Sequence, residues 1–500
     1  DVAVTGVQTC ALPISVATIL GLAFRLHDPD HLLGAKEAIG ITLALIPANT
    51  PGVKIGRRHF PAQQAFQNGP TQGDDVFIPM EWIIGGQARV GQGWRMLMDC
   101  LSAGRCISLP SLSTGAAQFS ARYTGAYARI RRQFGLPVGR FEGVEEALAR
   151  IAAHAYCLDA ARKLTAATLD KGEQPSVLSA ILKFHATERM RQSVNDAMDV
   201  HGGRAIIDGP RNYIFGAYQS IPVAITVEGA NILTRCLMIF GQGALRCHPH
   251  LLKEIAAAHM EDPNAAVAAF DKELFAHIGD LISNTIRAFW HNLTFAAFAS
   301  APQHRDIGWM YRHVHVASIT FAAVADMVMG TLGGDLKRRE SLSARLGDIL
   351  SELYLMSCVL KRYEDEGSQT ADLPLVEWNI RNGLFTIQRR LEEVLDNLPA
   401  RPVAWLLRRI AFPLGRWRRA ASDRLGHLCA ALLIAPSATR DRLTSGIYVS
   451  KNAQDATGRI EAALPPRWNV TRGTRNCVPP WAKVNLPVID AAITFSSAPT

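Results

Sequence analysis

Glu228 is the residue in this chain whose surroundings most suggest chemistry. It stands in Ile225-Thr226-Val227-Glu228-Gly229-Ala230-Asn231-Ile232-Leu233, one carboxylate bracketed by apolar side chains and followed at once by glycine. An apolar wall disfavours the charged carboxylate and lifts its pKa toward the range of an effective general base. Gly229 removes side-chain bulk, so a ligand can come close to the backbone. The same pattern also fits a plain carboxylate at a helix start, where it complements the helix dipole and does no chemistry. Two upstream segments sharpen the choice: Arg131-Arg132-Gln133-Phe134-Gly135 and His201-Gly202-Gly203.

The elements that must carry these residues fall into blocks. Residues 16–92 read as strands and turns: the apolar run Ile39–Pro47 ends at a proline, and Val53–Ile55 and Asp75–Pro79 are similar, with Gly, Asn and Pro between them. Residues 93–262 read as helices. Val144, Leu148, Ile151, Ala155 and Leu158 repeat at one-face spacing, and Val177, Ile181, Phe184, Met190 and Val194 mark a second apolar helix. Gly135-Leu136-Pro137 and Gly172-Glu173-Gln174-Pro175 read as helix ends. Long helices joined by short turns pack as a bundle. Residues 263–446, opened by Asp262-Pro263-Asn264, form a further helical block. The expected fold class is mainly α with a partial β domain. Residues 447–500 form a tail that loses helical periodicity from about Pro465, as a disordered or frameshifted segment does. Residues 1–15 match nothing that follows. They read as one frame of a sequencing-library adapter and are expected to be a translated artefact.

Composition narrows the function classes. With 48% hydrophobic and 19% charged residues, the chain is no disordered protein. Its apolar runs are broken by charge or proline, and none reaches the roughly 20 residues of a membrane span. The net charge of +9 suits an anionic partner, whether nucleic acid, anionic lipid or a phosphorylated ligand. No nucleic-acid reading module is present, so nucleic acid is not expected. Nine scattered cysteines without a Cys-x-x-Cys pair read as reduced and cytoplasmic. Cys247-His248-Pro249-His250 lacks a second ligand pair at finger spacing, so no metal is expected. From Trp405 to Arg419, Trp, Leu and Ile mix with clustered arginine. This stretch can lie peripherally on the anionic inner membrane surface. It can equally be a core-packed helix pair with a solvated basic edge, interrupted at Pro413.

In their order, these segments resemble the acyl-CoA dehydrogenase family, and more narrowly its long bacterial fatty-acid form, the FadE-like group. The narrower likeness rests on Arg57-Arg58-His59-Phe60-Pro61, Phe66-Gln67-Asn68-Gly69-Pro70-Thr71, Thr226 through Arg235, and Gly241-Gln242-Gly243-Ala244-Leu245-Arg246-Cys247-His248-Pro249, and runs from roughly Val16 to Leu464. It implies an acyl-CoA dehydrogenase-like helical bundle over residues 93–262 and an extra C-terminal helical domain over 263–446. Residues 16–92 become the second half of a β domain, and the chain an N-terminally truncated fragment, inactive by itself. The implied cofactor is FAD. The implied reaction is α,β-desaturation of a fatty acyl-CoA, with electrons passed to electron-transfer flavoprotein, by a homodimer. By the same resemblance Glu228 is the base, and Arg105 lies near base and substrate. Arg131, Gln133 and Phe134 reach the cofactor of a neighbouring subunit, Asp199, Gly202 and Gly203 lie under its adenosine portion, and Gly229 and Ala230 adjoin it. Asp199, Ala230 and Ile232 stand where many members carry Gln, Thr and Gln, so the contact of the threonine hydroxyl with the cofactor is lost here. Two other readings remain: an acyl-CoA oxidase, and a non-catalytic membrane-associated interaction protein on a degenerate dehydrogenase fold.

Overall fold

Alternation along Ile19–His27 (β1) and the apolar run Ala38–Pro47 (β2) produce an antiparallel ribbon, in register from Ile19 opposite Pro47 to Leu26 opposite Gly40. Ala44 and Ile46 bury against Ile83. The computed structural model describes residues 16–65, 68–173, 175–304 and 306–464. The adapter-like segment 1–15, Phe66-Gln67 and the tail from Pro465 lie outside the described residues. Val53–Ile55 (β3) pairs with Thr71–Gly73 (β4). The strand expected over Asp75–Pro79 does not form. Asp75 takes a left-handed backbone with φ +46°, and Pro79, which has no N–H for a ladder, leads into a 3-10 turn at Met80–Trp82.

Gly93–Ile130 (α1) is one long helix. It stops before the expected Gly135-Leu136-Pro137, because Arg132–Gln133 (β5) and Leu136–Pro137 (β6) pair as a tight hairpin. Its two turn residues, Phe134 and Gly135, both have positive φ, +50° and +79°, as the right-handed twist of a two-residue hairpin demands. Glu142–Asp170 (α2) and Ser176–His201 (α3) complete a three-helix layer. Ala117, Ala121 and Ala128 of α1, Leu148, Ile151 and Leu158 of α2, and Leu182, Met190 and Val194 of α3 share its core.

The chain then breaks into short pieces: Gly203–Ile206 (α4), Phe215–Thr226 (α5), Asn231–Leu233 (α6), a π-helix at Thr234–Gln242, Gly243–Cys247 (α7) and Leu251–Ala258 (α8). Long helices resume with Pro263–Leu293 (α9), whose N-cap Asp262 accepts from the Asn264 N–H, then Gly308–Leu332 (α10), Glu340–Asp365 (α11) and Leu373–Asn397 (α12). Arg401–Ala411 (α13), Asp423–Ile434 (α14), Ala438–Leu443 (α15) and Ala456–Ala463 (α16) follow.

The two helical blocks do not have separate interiors. One apolar cluster runs from Leu109 of α1 through α2 and α3 to Leu346 of α11, Ile380 of α12 and Leu433 of α14. At Gly125 a Cβ would stand 2.5 Å from the Leu433 carbonyl oxygen, so only glycine permits this approach of α1 to α14. α16 closes over α1, with Ile460 against Tyr123 and Ala126, and Glu461 pairing with Arg440 at 2.5 Å and Arg122 at 2.8 Å.

By length and composition α10, with the turn that follows it, is apolar enough to cross a membrane, contrary to the expectation from the sequence that no stretch would be. Here Val316, Ala323, Val324 and Val328 of this helix are fully buried in protein. In the Trp405–Arg419 stretch, Leu407 and Ile410 of α13 enter the core, while Trp405 and Leu406 face out and Arg409 stacks over Trp405. Core-facing and solvent-facing apolar side chains thus share one helix.

His248, His277 and Asp326 bring potential ligand atoms within 4.8 Å of one another. The Nδ1 of His248, however, accepts from the N–H groups of His250 and Leu251, both at 3.2 Å, so its Nε2 carries the proton and donates to Asp326 at 3.0 Å. This arrangement ties the start of α8 to α10.

Candidate active site

Glu228 lies in the short connection between α5 and α6. Its φ is +56° and that of Gly229 is +98°. A left-handed glutamate is strained, and such strain persists only where neighbours enforce it. Glu228 is not a helix cap: the N-cap of α6 is Ala230, with no side-chain bond. What holds the turn is a set of buried donors. Arg105, on α1 and only 8% exposed, donates its Nε–H to the main-chain oxygen of Glu228 at 2.9 Å. Lys183, on α3 and fully buried, donates to the Gly229 carbonyl at 2.6 Å, to Asn231 Oδ1 at 2.6 Å and to the Ile225 carbonyl at 3.4 Å. Asn231 in turn donates to Thr187 Oγ1 and Glu188 Oε1, and Thr234 Oγ1 donates to the Gly229 carbonyl.

The carboxyl group is left free by this scaffold. Glu228 is half-buried, and its Oε2 is buried without a hydrogen bond. Burial pushes its pKa above the usual carboxylate range; the positive charges of Arg105 and Lys183 pull the other way and do not overcome it. Burial lowers the pKa of Arg105, opposed by Glu228. The Lys183 ammonium is lowered to about 8, first by burial and then by repulsion from Arg105. A proton acceptor with a raised pKa, held rigidly by its backbone, is suited to taking a proton from a weak carbon acid.

The other expected site residues form a second group. Arg131, Gln133 and Phe134 lie on the exposed hairpin, with Phe134 67% exposed. Arg129, which the sequence clusters with Arg131 and Arg132, is instead buried and donates to the Ile434 carbonyl. Gly202 ends α3 with φ +57°, so the glycine pair does stop a helix. A Cβ at Gly202 or Gly203 would meet no atom within 4 Å, so the backbone there is open to a ligand. Asp199 is exposed beside it, and Ala230 is exposed near Glu228. His201 stacks on Tyr127 with ring centroids 4.2 Å apart, which puts the ends of α1 and α3 together. The structure therefore unites Glu228, Gly229 and Arg105 at one end of the bundle, and the hairpin and glycine pair at the other. At about 1.5 Å per residue, Arg131 is about 39 Å along α1 from Arg105, and Gly202 about 28 Å along α3 from Lys183.

Lys183 and Asn231 were missed by sequence reasoning. The signal was available: Lys183 interrupts the apolar run Ala180-Ile181-Leu182-Lys183-Phe184 in a helix whose neighbouring positions are core. A cleft of about 930 Å³ also opens between α2, α3, α11 and α12. It holds none of the expected site residues, and two of its arginines are already paired, Arg150 with Asp196 and Arg189 with Glu352.

Comparison with known proteins agrees with this architecture. The acyl-CoA dehydrogenase C-terminal domain matches residues 91–239, and the bacterial-type acyl-CoA dehydrogenase C-terminal domain matches residues 245–473. Over 348 residues the chain is 25% identical to "Probable acyl-CoA dehydrogenase FadE10" of Mycobacterium tuberculosis, covering 67% of this chain and 50% of that protein. A 104-residue stretch is 59% identical to "Protein HemX" of Proteus mirabilis, covering 21% of this chain and 61% of that protein. The chain thus spans between half and two thirds of the length of these relatives. In fold it is similar to an acyl-CoA dehydrogenase from Bacillus anthracis solved with FAD, with TM-score 0.65 and 16% identity over 85% of this chain and 68% of that one. The chain belongs to the acyl-CoA dehydrogenase family.

Proposed function

We propose that this chain is the catalytic-base half of an FAD-dependent acyl-CoA dehydrogenase that converts a fatty acyl-CoA to the trans-2-enoyl-CoA in fatty-acid β-oxidation. The observation that carries the reading is the Glu228 carboxyl: half-buried, raised in pKa, with Oε2 unpartnered and its backbone fixed by Arg105. Glu228 takes the proton from the carbon next to the thioester. Arg105 and Lys183 offset part of the desolvation of the carboxylate and hold its main chain. Exposed apolar side chains on the same elements, Ile107 on α1 and Ile232 and Leu233 after the turn, suit an acyl chain.

The residues present fit FAD in kind. The open backbone at Gly202-Gly203 and the exposed Arg131, Gln133 and Phe134 offer N–H groups, a guanidinium fork, an amide and a ring to a dinucleotide. When bound, FAD supplies the acceptor for the β-hydrogen leaving as hydride. These residues lie far along the bundle from Glu228 in one chain, which supports a homodimer in which each copy serves its partner's cofactor. Further parts of the proposal are electron-transfer flavoprotein as acceptor, a cytoplasmic location, and peripheral contact of the Trp405–Arg409 face with the anionic inner membrane surface.

The test is anaerobic mixing of the full-length flavoprotein with fatty acyl-CoA, following loss of flavin absorbance, in wild type and in Glu228→Gln. Reduction in the first and none in the second is expected. Unchanged reduction in Glu228→Gln overturns the assignment of the base. In a parallel air-saturated assay, where dioxygen is available to take the two electrons of the reduced flavin, peroxide formation that replaces reduction of electron-transfer flavoprotein would instead make the protein an oxidase.

A further inference from the structure

We infer that Lys183 is a positioning residue for the proton-abstracting carboxylate: its buried ammonium gathers the main chain on both sides of Glu228 and fixes the left-handed turn that presents the side chain. This inference rests on the proposed role of Glu228.

The argument begins with burial. Lys183 has no exposed surface, and a lysine so placed is rare unless its charge is satisfied. Its three acceptors are the carbonyl of Ile225, in the last turn of α5, the carbonyl of Gly229, just after Glu228, and Oδ1 of Asn231, the first residue of α6. Glu228 lies between the first two. One cation therefore closes the connection as a clasp, and two adjacent residues with positive φ lie within it. Without the clasp, the Gly229 carbonyl keeps only a 3.3 Å bond from Thr234 Oγ1. The clasp is itself braced. Asn231 is oriented by Thr187 and Glu188, both on the helix that carries Lys183, so α3 supplies the cation and also fixes one of its acceptors.

Charge gives Lys183 a second effect. The titratable and charged groups acting on it are Arg105 from α1, Glu228 from the turn and Glu188 from its own helix; Cys106 of α1, also buried, adjoins Arg105. The ammonium favours the ionised form of Glu228, and Arg105 makes the ammonium easier to deprotonate. Lys183 thus couples the geometry of the turn to its protonation: once neutral, it loses its strongest claim on the two carbonyls.

The experiment uses full-length holoprotein and substrate-dependent flavin reduction measured from pH 5.5 to 9.5. Lys183→Met keeps the length of the side chain and removes the charge. The expected result is a rate loss of about 100-fold, as for a catalytic group misplaced by an ångström, together with a shift of the acidic limb to higher pH. A role in folding alone would lower the rate and the melting temperature and leave that limb in place, which overturns the inference. Should Lys183→Met fail to fold, Glu188→Gln serves. It keeps the acceptor for Asn231 and removes one charge that stabilises the ammonium, so the alkaline limb is expected to move to lower pH; an unmoved limb overturns the inference. Glu228→Gln run alongside separates the failures. If that variant stays active, the base assignment has fallen. If it is inactive while the Lys183 and Glu188 variants keep wild-type profiles, only the clasp has fallen.

Discussion

Arg105 meets Glu228 at its main-chain oxygen, at 2.9 Å, and not at its carboxylate. The distinction matters chemically. A guanidinium paired with the carboxylate would lower its pKa and occupy its lone pairs. Bound to the backbone, it fixes the turn and leaves the side chain available. This explains why the net shift of Glu228 is upward despite two nearby cations.

Replacing Glu228 should separate stability from activity. General-base removal is expected to lower substrate-dependent flavin reduction by about 10³-fold. The folded-state pKa of Glu228 is raised, so below its unfolded value both states hold the proton and the group is neutral in effect. As pH rises past that value the unfolded chain ionises first, and the folded state loses stability. Glu228→Gln should therefore melt higher than wild type at pH 7 and equally at pH 4, by thermal unfolding in both buffers.

Arg105→Ala leaves the Glu228 carbonyl without its donor and removes a positive charge beside the carboxyl. The expected cost is about 1–3 kcal/mol in denaturant unfolding, as for a buried acceptor left unpaired. The acidic limb of the rate profile should move up, because one of the two charges favouring ionisation is gone.

Several histidines are buried as neutral rings, His154 with its pKa lowered to about 3 and His201 to about 4, in both cases chiefly by burial. The unfolded chain protonates them near 6.5, so the folded state binds fewer protons between about 6.5 and 4 and loses stability as pH falls through that window. The urea midpoint should drop between pH 7.5 and 5, and His201→Gln should flatten the drop. Tyr213→Phe, which removes the hydroxyl 2.6 Å from His201 Nε2, should lower stability at pH 7.5 as well.

Gly125→Ala tests the seam between the helical blocks. Its Cβ would fall 2.5 Å from the Leu433 oxygen, which is main chain and has no rotamer to give. A loss of about 1–3 kcal/mol is expected from overpacking. Gly104→Ala on the same helix meets nothing within 4 Å and should leave the urea midpoint at or above that of wild type.

Much of this was legible from local pattern. The apolar bracket around Glu228, the helical periods of α2 and α3 and the glycine pair after His201 are all short-range signals, and the structure places each as a local feature. What failed was long-range or conformational. Arg105 could not be read as buried, because its partner lies 123 residues away. Asp75–Pro79 looked like a strand until the backbone at Asp75 turned left-handed. Phe134 was expected for its ring, yet it also occupies a hairpin position that usually demands Asn or Gly. Lys183 was visible only as an exception to the pattern around it.

The unbroken apolar interior from α1 to α14 carries a last consequence. From Ile151 to Ala161 α2 has no solvent-facing residue: it is walled by α1 and α3 on one flank and by α11 and α14 on the other. The later helices are thus a bearing wall, and a lineage could shed them only by re-inventing a cover for α2. Substitutions around Leu346 or Leu433 should reach Glu228 through tilts of α1 and α3, without touching any ligand.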